Sequence, residues 1–208
     1  EGVAESYMIH ATTPMGPWSE PQHVDLGTLE IDTNLAGVIL ADGSFVGMIR
    51  RSEGPQGSTI HLVTADHWTA VDSYVVDDEP LFPSYGPHRV SDSGLEDPAL
   101  YLDASGRPHA LFHAQLEGDD MSICGGHAFT ADKSGRTGWT YSGTAYTNTV
   151  RFEDGGTYTY TRRERPHAVF GDAADPTRIT HLSAGVQYGA AGGGPGQDGC
   201  YTLVQPVH

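Results

Sequence analysis

The sequence predicts an all-β chain of repeated four-stranded units, the pattern of a β-propeller, and three observations predict it. Glycine and proline are abundant (27 and 13 residues) while only 18% of residues are charged, a composition of short strands joined by turns. No window carries a clean helical period. The longest stretch free of both breakers, 58–79, alternates closer to period two than to 3.6. Finally, Trp18, Trp68 and Trp139 close similar segments, each a strand with a His, then Ala with Thr, a turn and the Trp.

Hairpins with glycine turns precede two of these tryptophans, at 38–50 and 99–113. The unit is therefore strand, turn, strand, loop, strand, turn and a Trp-marked edge. It repeats loosely at about 50–70 residues, longer than the commoner propeller repeats. Four antiparallel strands per unit stacked around an axis make a propeller. A sandwich is the alternative, and the repeated strand order argues against it. The first unit supplies only its third and fourth strands (7–21). Two whole units follow at 34–73 and 97–145, and the last supplies its first three strands, with a hairpin at 166–186 and a strand at 200–206. The whole of 1–208 reads as one propeller domain. Open blade edges expose unpaired backbone, so one or more N-terminal blades are expected outside this chain or on a second chain. The stretch 77–95 reads as a long connection into the central hairpin. The glycine-rich stretch 189–199 lacks the Lys-Ser/Thr of a phosphate loop and reads as a second connection.

The formal charge is −16 with only 11 Lys plus Arg, which repels polyanions and disfavours nucleic acid and anionic membranes as partners. No apolar run is long enough to span a bilayer, and no signal peptide opens the sequence. Two cysteines, Cys124 and Cys200, allow one bridge or two free thiols and form no metal-type pair. Scarce cysteine on an acidic, turn-rich chain fits a secreted enzyme.

The stretch 94–114 organises the rest. Glu96 and Asp97 open one apolar strand, a turn follows at Asp103-Ala104-Ser105-Gly106, and the return strand ends in His113. A hairpin places its two ends side by side, so these three side chains should cluster. Overlaying the units, their first strands open at Asn34-Leu35, Asp97-Pro98 and Arg165-Pro166. In a propeller these openings ring one mouth of the central channel. Asn34, Glu96, Asp97, Arg163, Glu164 and Arg165 should therefore converge, joined from returning strands by Arg50 and His113 and from a third strand by His127. Carboxylates facing arginines and histidines suit a sugar, because guanidinium and carboxylate groups fix hydroxyls and a carboxylic acid protonates a leaving oxygen. Each group has a plainer reading beside this one. Asp97 before Pro98, taken alone, reads as a turn cap. Residues 162–166 equally describe an internal network bracing the channel. His10, His61, His109 and His167 read as structural or surface residues, and the tryptophans pack at blade edges unless they stack sugars. No serine-esterase or zinc-hydrolase motif is present.

The segments 10–22 (HATTPMGPWSEPQ), 96–107 (EDPALYLDASGR) and 162–167 (RRERPH) resemble the glycoside hydrolase family 43-like five-bladed propellers. The resemblance implies about three and a half of five blades in this chain. It also implies an inverting hydrolase with three acidic residues: a base, a modulator of the acid's pKa and a glutamate acid. The acid falls on Glu96, in Glu-Asp-Pro where that family more often has Glu-Gly-Pro. The modulator falls on Asn34, which is not an acid, and the blade expected to carry the base is absent. Glu96 is thus the expected proton donor and Asp97 its neighbour in charge tuning. Asn34, Arg50, His113, His127, Arg163, Glu164 and Arg165 are the expected substrate binders. No cofactor is required. A central structural calcium or sodium is implied by the resemblance, with His113 as its contact. The implied partner is carbohydrate, in an arabinofuranosidase- or xylosidase-like enzyme acting on a plant or algal polysaccharide. A non-catalytic sugar-binding propeller and a polysaccharide lyase are the alternatives.

Overall fold

The computed structural model describes residues 5–27, 34–52, 58–82, 90–116, 124–171, 175, 177–188 and 199–207. Among them are fifteen strands, one 3-10 turn (Val71–Ser73) and no α-helix. β1 (Ser6–Met8) pairs with β2 (Gln22–Val24). β3 (Ala36–Ile39), β4 (Phe45–Ser52), β5 (Ser58–Ala65) and β6 (Val75–Pro80) form a four-stranded meander in chain order. β7 (Val90–Leu102), β8 (Pro108–Leu116), β9 (Cys124–Phe129) and β10 (Thr140–Tyr146) form a second. After the short pair β11 (Thr149–Arg151) and β12 (Thr157–Thr159), β13 (Arg162–Phe170), β14 (Ile179–Tyr188) and β15 (Gly199–Pro206) make a three-stranded sheet. Every pairing is antiparallel.

Two whole units flanked by partial ones match the strand order read from the repeat. Three details differ. The second unit extends to Pro80, because its fourth strand, β6, lies beyond the 3-10 turn. The stretch 77–95 contributes the end of β6 and the start of β7, while 83–89, like 189–198 of the glycine-rich stretch, lies outside the described residues. The pair β11–β12 was not expected at all. Cys200 is a free, exposed cysteine, so the one bridge that two cysteines allow is not formed.

Turns are made by a recurring device. Asp42, Asp103, Asp132, Asp154 and Asp175 each accept, through a carboxylate oxygen, the backbone N–H two residues on. This is the Asx geometry that makes aspartate a turn former. At Asp103 the Arg107 N–H, the Ser105 hydroxyl and the Ser105 N–H all donate, and these bonds hold its carboxyl far below the usual carboxylate range.

The core lies between the two meanders. Met48 and Ile60 of the first meet Leu95, Ala110, Phe112, Ala114 and Ala128 of the second, with Phe82 set edge-on to Phe112 at 5.8 Å. Burying each large side chain contributes about 1.5–3 kcal/mol. β8 is the central strand, buried on both faces: Ala110, Phe112 and Ala114 face this core, while Leu111 and His113 face away from it. Beside it, β9 needs glycine. A Cβ on Gly125 would stand 1.8 Å from the Tyr146 ring, which therefore lies flat across that position. The tryptophans divide: the Trp139 indole N–H donates to the Gly135 carbonyl at 2.7 Å beside the core, His10 meets Trp68 edge-on, and Trp18 is exposed. Packing therefore explains Trp139 but not Trp18.

Candidate active site at the strand openings

Glu96 lies directly opposite His113 in the β7–β8 ladder, as the hairpin requires. The His113 Nδ1 and Glu96 Oε1 are 2.7 Å apart, and the Arg50 guanidinium donates to Oε2 at 2.5 Å. Asn34, just ahead of β3, donates its amide N–H to Asp97 Oδ1 at 2.8 Å. From the third sheet, Glu164 completes a group in which Glu96, Asp97, His113 and Glu164 each present a ligand atom within 4.8 Å of the others. Asn34, Arg50, Glu96, Asp97, His113 and Glu164 thus converge from three separate sheets.

The local cause is a repeated backbone device. Asp97 and Arg165 have φ of 51° and 54°, are the only non-glycine residues with positive φ among the described residues, and each precedes a proline. Each also sits where its ladder breaks register, between Glu96 and Ala99 and between Glu164 and His167. An extra residue in a strand bends it and re-aims its side chains. The Glu-X-Pro triplets at 96–98 and 164–166 are therefore the same kink made in two blades, and each presents a glutamate to one place. Left-handed backbone costs a non-glycine residue about 1–2 kcal/mol, less for aspartate. Replacing Asp97 with Gly is accordingly expected to raise Tm by about 2–4 °C, the shift that ~1 kcal/mol makes in a chain of this size. A lowered Tm by calorimetry would show instead that the Asn34 bond outweighs the strain.

The two neighbouring carboxyls are pushed in opposite directions. The hydrogen bond from His113, helped by the charges of His113, Arg50 and Arg162, holds Glu96 below the ordinary carboxylate range, although burial opposes this. Burial and the adjacent Glu96 and Glu164 charges push Asp97 up, against the pull of Arg165 and His113. Of the pair, Asp97 is the one suited to keep a proton and Glu96 the one fixed as an anion. The sequence reading expects the proton on Glu96.

Two expected substrate binders lie elsewhere. Arg163 is 2% exposed and turned inward; it donates to the Thr147 carbonyl and to Gln205 Oε1, both at 2.9 Å, and covers the Tyr146 ring at 4.7 Å. Strand alternation explains this, since Arg162 and Glu164 face one way and Arg163 the other. This placement agrees with the plainer reading, an internal brace, although its partners are a carbonyl, an amide and a ring and not an acid. His127 is displaced as well. It pairs opposite Leu111 and not His113, and it bonds His109 at 3.0 Å and Ser142 Oγ at 2.6 Å beside Tyr101. Burial and the adjacent His109 lower its pKa. The third strand's position at the mouth belongs to Gly125, the residue opposite His113. Arg165 does stand at the mouth, 72% exposed, with Nη1 3.9 Å from Glu164. Its neighbour Arg162, read from the sequence only as part of an internal network, lies 3.8 Å from the same carboxylate.

Three carboxylates and an imidazole this close together form a donor set of the kind that holds a hard cation such as calcium. As arranged, however, arginine supplies the positive charge. Both Glu96 oxygens are engaged by Arg50 and His113, and Glu164 stands between Arg162 and Arg165. A cation held here would share Glu96 with Arg50 and His113, while the buried His113 Nε2 has no hydrogen-bond partner among the described residues.

The fold is shared with solved carbohydrate-active proteins. The GH43 protein BlXynB of Bacillus licheniformis, as its K247S mutant, matches with a TM-score of 0.56 at 18% identity, over 98% of this chain and 34% of its own. An alpha-L-arabinofuranosidase from Lactobacillus brevis matches with a TM-score of 0.60 at 17% identity, over 96% of this chain and 61% of its own. An endo-arabinase from Bacteroides thetaiotaomicron gives 0.55 at 15% identity, over 96% and 64%. The chain thus has the GH43-like propeller fold and spans from about a third to just under two thirds of the length of these proteins. No protein-family model and no curated protein matches the sequence. No helix among the described residues is long and apolar enough to cross a membrane.

Proposed function

We propose that the chain is part of a secreted five-bladed propeller, folded as one domain, that hydrolyses O-glycosidic bonds in a plant or algal polysaccharide. The observation that carries this reading is the convergence of Glu96, Asp97, Glu164 and His113 from two sheets at the openings of β7 and β13. The folds shared with an arabinofuranosidase and an endo-arabinase support pentose-containing glycans as the first substrates to try. Asp97 donates its proton to the leaving glycosidic oxygen. Burial and the charge of Glu96, which Arg50 and His113 anchor beside it, push the Asp97 pKa up and suit it to that role. Water attacks the anomeric carbon and gives its proton to a base. An inverting pair of carboxyls stands about 6.5–9.5 Å apart to admit that water, whereas the carboxylates here present oxygens within 4.8 Å of one another. The base of an inverting reaction therefore lies on a part of the protein outside this cluster.

The reading is tested by incubating the protein with arabinan, arabinoxylan and xylo-oligosaccharides while following the anomeric protons by NMR. The α/β signature of the first product reports inversion or retention. A second reading, a sugar-binding propeller without turnover, is favoured by one feature: Asn34, which stands where an acid is expected, is an amide that donates to Asp97. Glycans retained by the protein with no new reducing ends would establish that reading and remove the hydrolase.

A further inference from the structure

The sheet β13–β15 carries a groove of about 420 Å³ that adjoins the carboxylate cluster, with Glu164 belonging to both. Its walls are Arg162, Arg165 and His167. On a chain of net charge −16 with only 11 Lys plus Arg, two guanidinium groups on one wall are a local reversal of sign. Each pairs with Glu164 only at ion-pair distance, 3.8 and 3.9 Å and beyond hydrogen-bond reach, and their side chains are 49% and 72% exposed, so their N–H groups remain open to a ligand. The floor is open because Gly185 lies directly opposite Glu164; a Cβ there would meet only the Glu164 carbonyl oxygen, at 3.6 Å. Strand alternation has turned Arg163 inward, so the two remaining arginines flank a single carboxylate.

We propose that this groove binds a sugar ring carrying an anionic substituent, a uronate carboxylate or a sulfate ester, and so selects an acidic glycan for the neighbouring site. The proposal rests on the reading of the cluster as a carbohydrate site. Guanidinium forks match planar carboxylates and sulfates in pairs of parallel hydrogen bonds, whereas neutral sugars gain no charge-assisted bond from them. Ser183 and Thr202, which line the same groove, offer hydroxyls to the rest of the ring.

The test is titration calorimetry with trigalacturonate against its fully methyl-esterified, uncharged form, and with a sulfated carrageenan tetrasaccharide against its desulfated form. The charged member of at least one pair should bind about tenfold tighter, the worth of one charge-assisted hydrogen bond. That advantage should shrink as NaCl is raised to about 0.5 M. Whichever pair shows the larger ratio identifies the anion. The Arg162→Ala/Arg165→Ala double variant should lose the ratio, and both sites are exposed enough for the fold to survive. Gly185→Leu, which fills the floor without changing charge, should weaken every sugar alike. Equal affinity within both pairs, or a ratio that survives in the double variant, overturns the proposal. Turnover followed in parallel separates the two readings. Cleavage of neutral glycans with no preference for charged ones removes the acidic-sugar site alone, and a charge preference with no cleavage of any glycan removes the hydrolase alone.

Discussion

Asp97→Asn is expected to lower kcat on unactivated oligosaccharides by about 10²–10⁴-fold, the usual contribution of a positioned general acid. On aryl glycosides whose phenolate leaves without a proton, the same variant should retain most of its rate. Asparagine is well suited to the left-handed backbone at this position and can still pair with Asn34, so the fold should persist. Glu96→Gln makes a different prediction. The Glu96 charge helps to hold the Asp97 pKa up, and removing it lets that pKa fall. Asp97 then loses its proton at lower pH, and the alkaline limb of the kcat/KM profile moves toward acid. Full activity of Asp97→Asn on natural oligosaccharides, or a Glu96→Gln variant that loses turnover of them while keeping its rate on aryl glycosides, would return the donor's role to Glu96.

The opposite pKa directions of these two carboxyls show where the sequence stops being informative. The hairpin at 94–114 could be read directly: an Asp-Ala-Ser-Gly turn fixes the register, and the register puts Glu96 opposite His113. The Asp turns were equally plain, because a side chain that bonds backbone two residues on carries its own instruction. β11 and β12 were not legible, since three residues each are too few to show alternation. At the site, the convergence of Asn34, Glu96, Asp97 and Glu164 followed from overlaying blade openings, and the second Glu-X-Pro was visible as a repeat. Which carboxyl keeps the proton was not, because it depends on Arg50, His113 and Arg162 arriving from other strands and on burial. The inward turn of Arg163 was legible. Period two along 162–164 already sends the middle arginine to the opposite face. His127 failed for a subtler reason. The β8–β9 register sets Gly125 beside His113, and that glycine is required by a tyrosine 21 residues later in the chain, Tyr146.

Arg163→Ala should therefore destabilise the fold by about 3 kcal/mol, a loss typical of a broken buried polar network. Three consequences add up to it. The Thr147 carbonyl and Gln205 Oε1 lose a charged donor, the Tyr146 ring loses its cation, and a cavity opens beside Tyr146. Arg163→Lys keeps the charge, but a single ammonium cannot reproduce the two-pronged span from Thr147 to Gln205, so it should recover only part of the loss. Arg163→Met tests the charge itself. It refills most of the volume without a buried cation, whose desolvation already depresses the guanidinium pKa. It should fall between Ala and wild type if packing dominates. Urea denaturation of the three variants, set beside their KM for oligosaccharide, decides between brace and binder. A brace lowers the unfolding midpoint and leaves KM of the folded fraction unchanged. A rise in KM with unaltered stability would place Arg163 back at the mouth, and the inward turn of its side chain would then have to be abandoned.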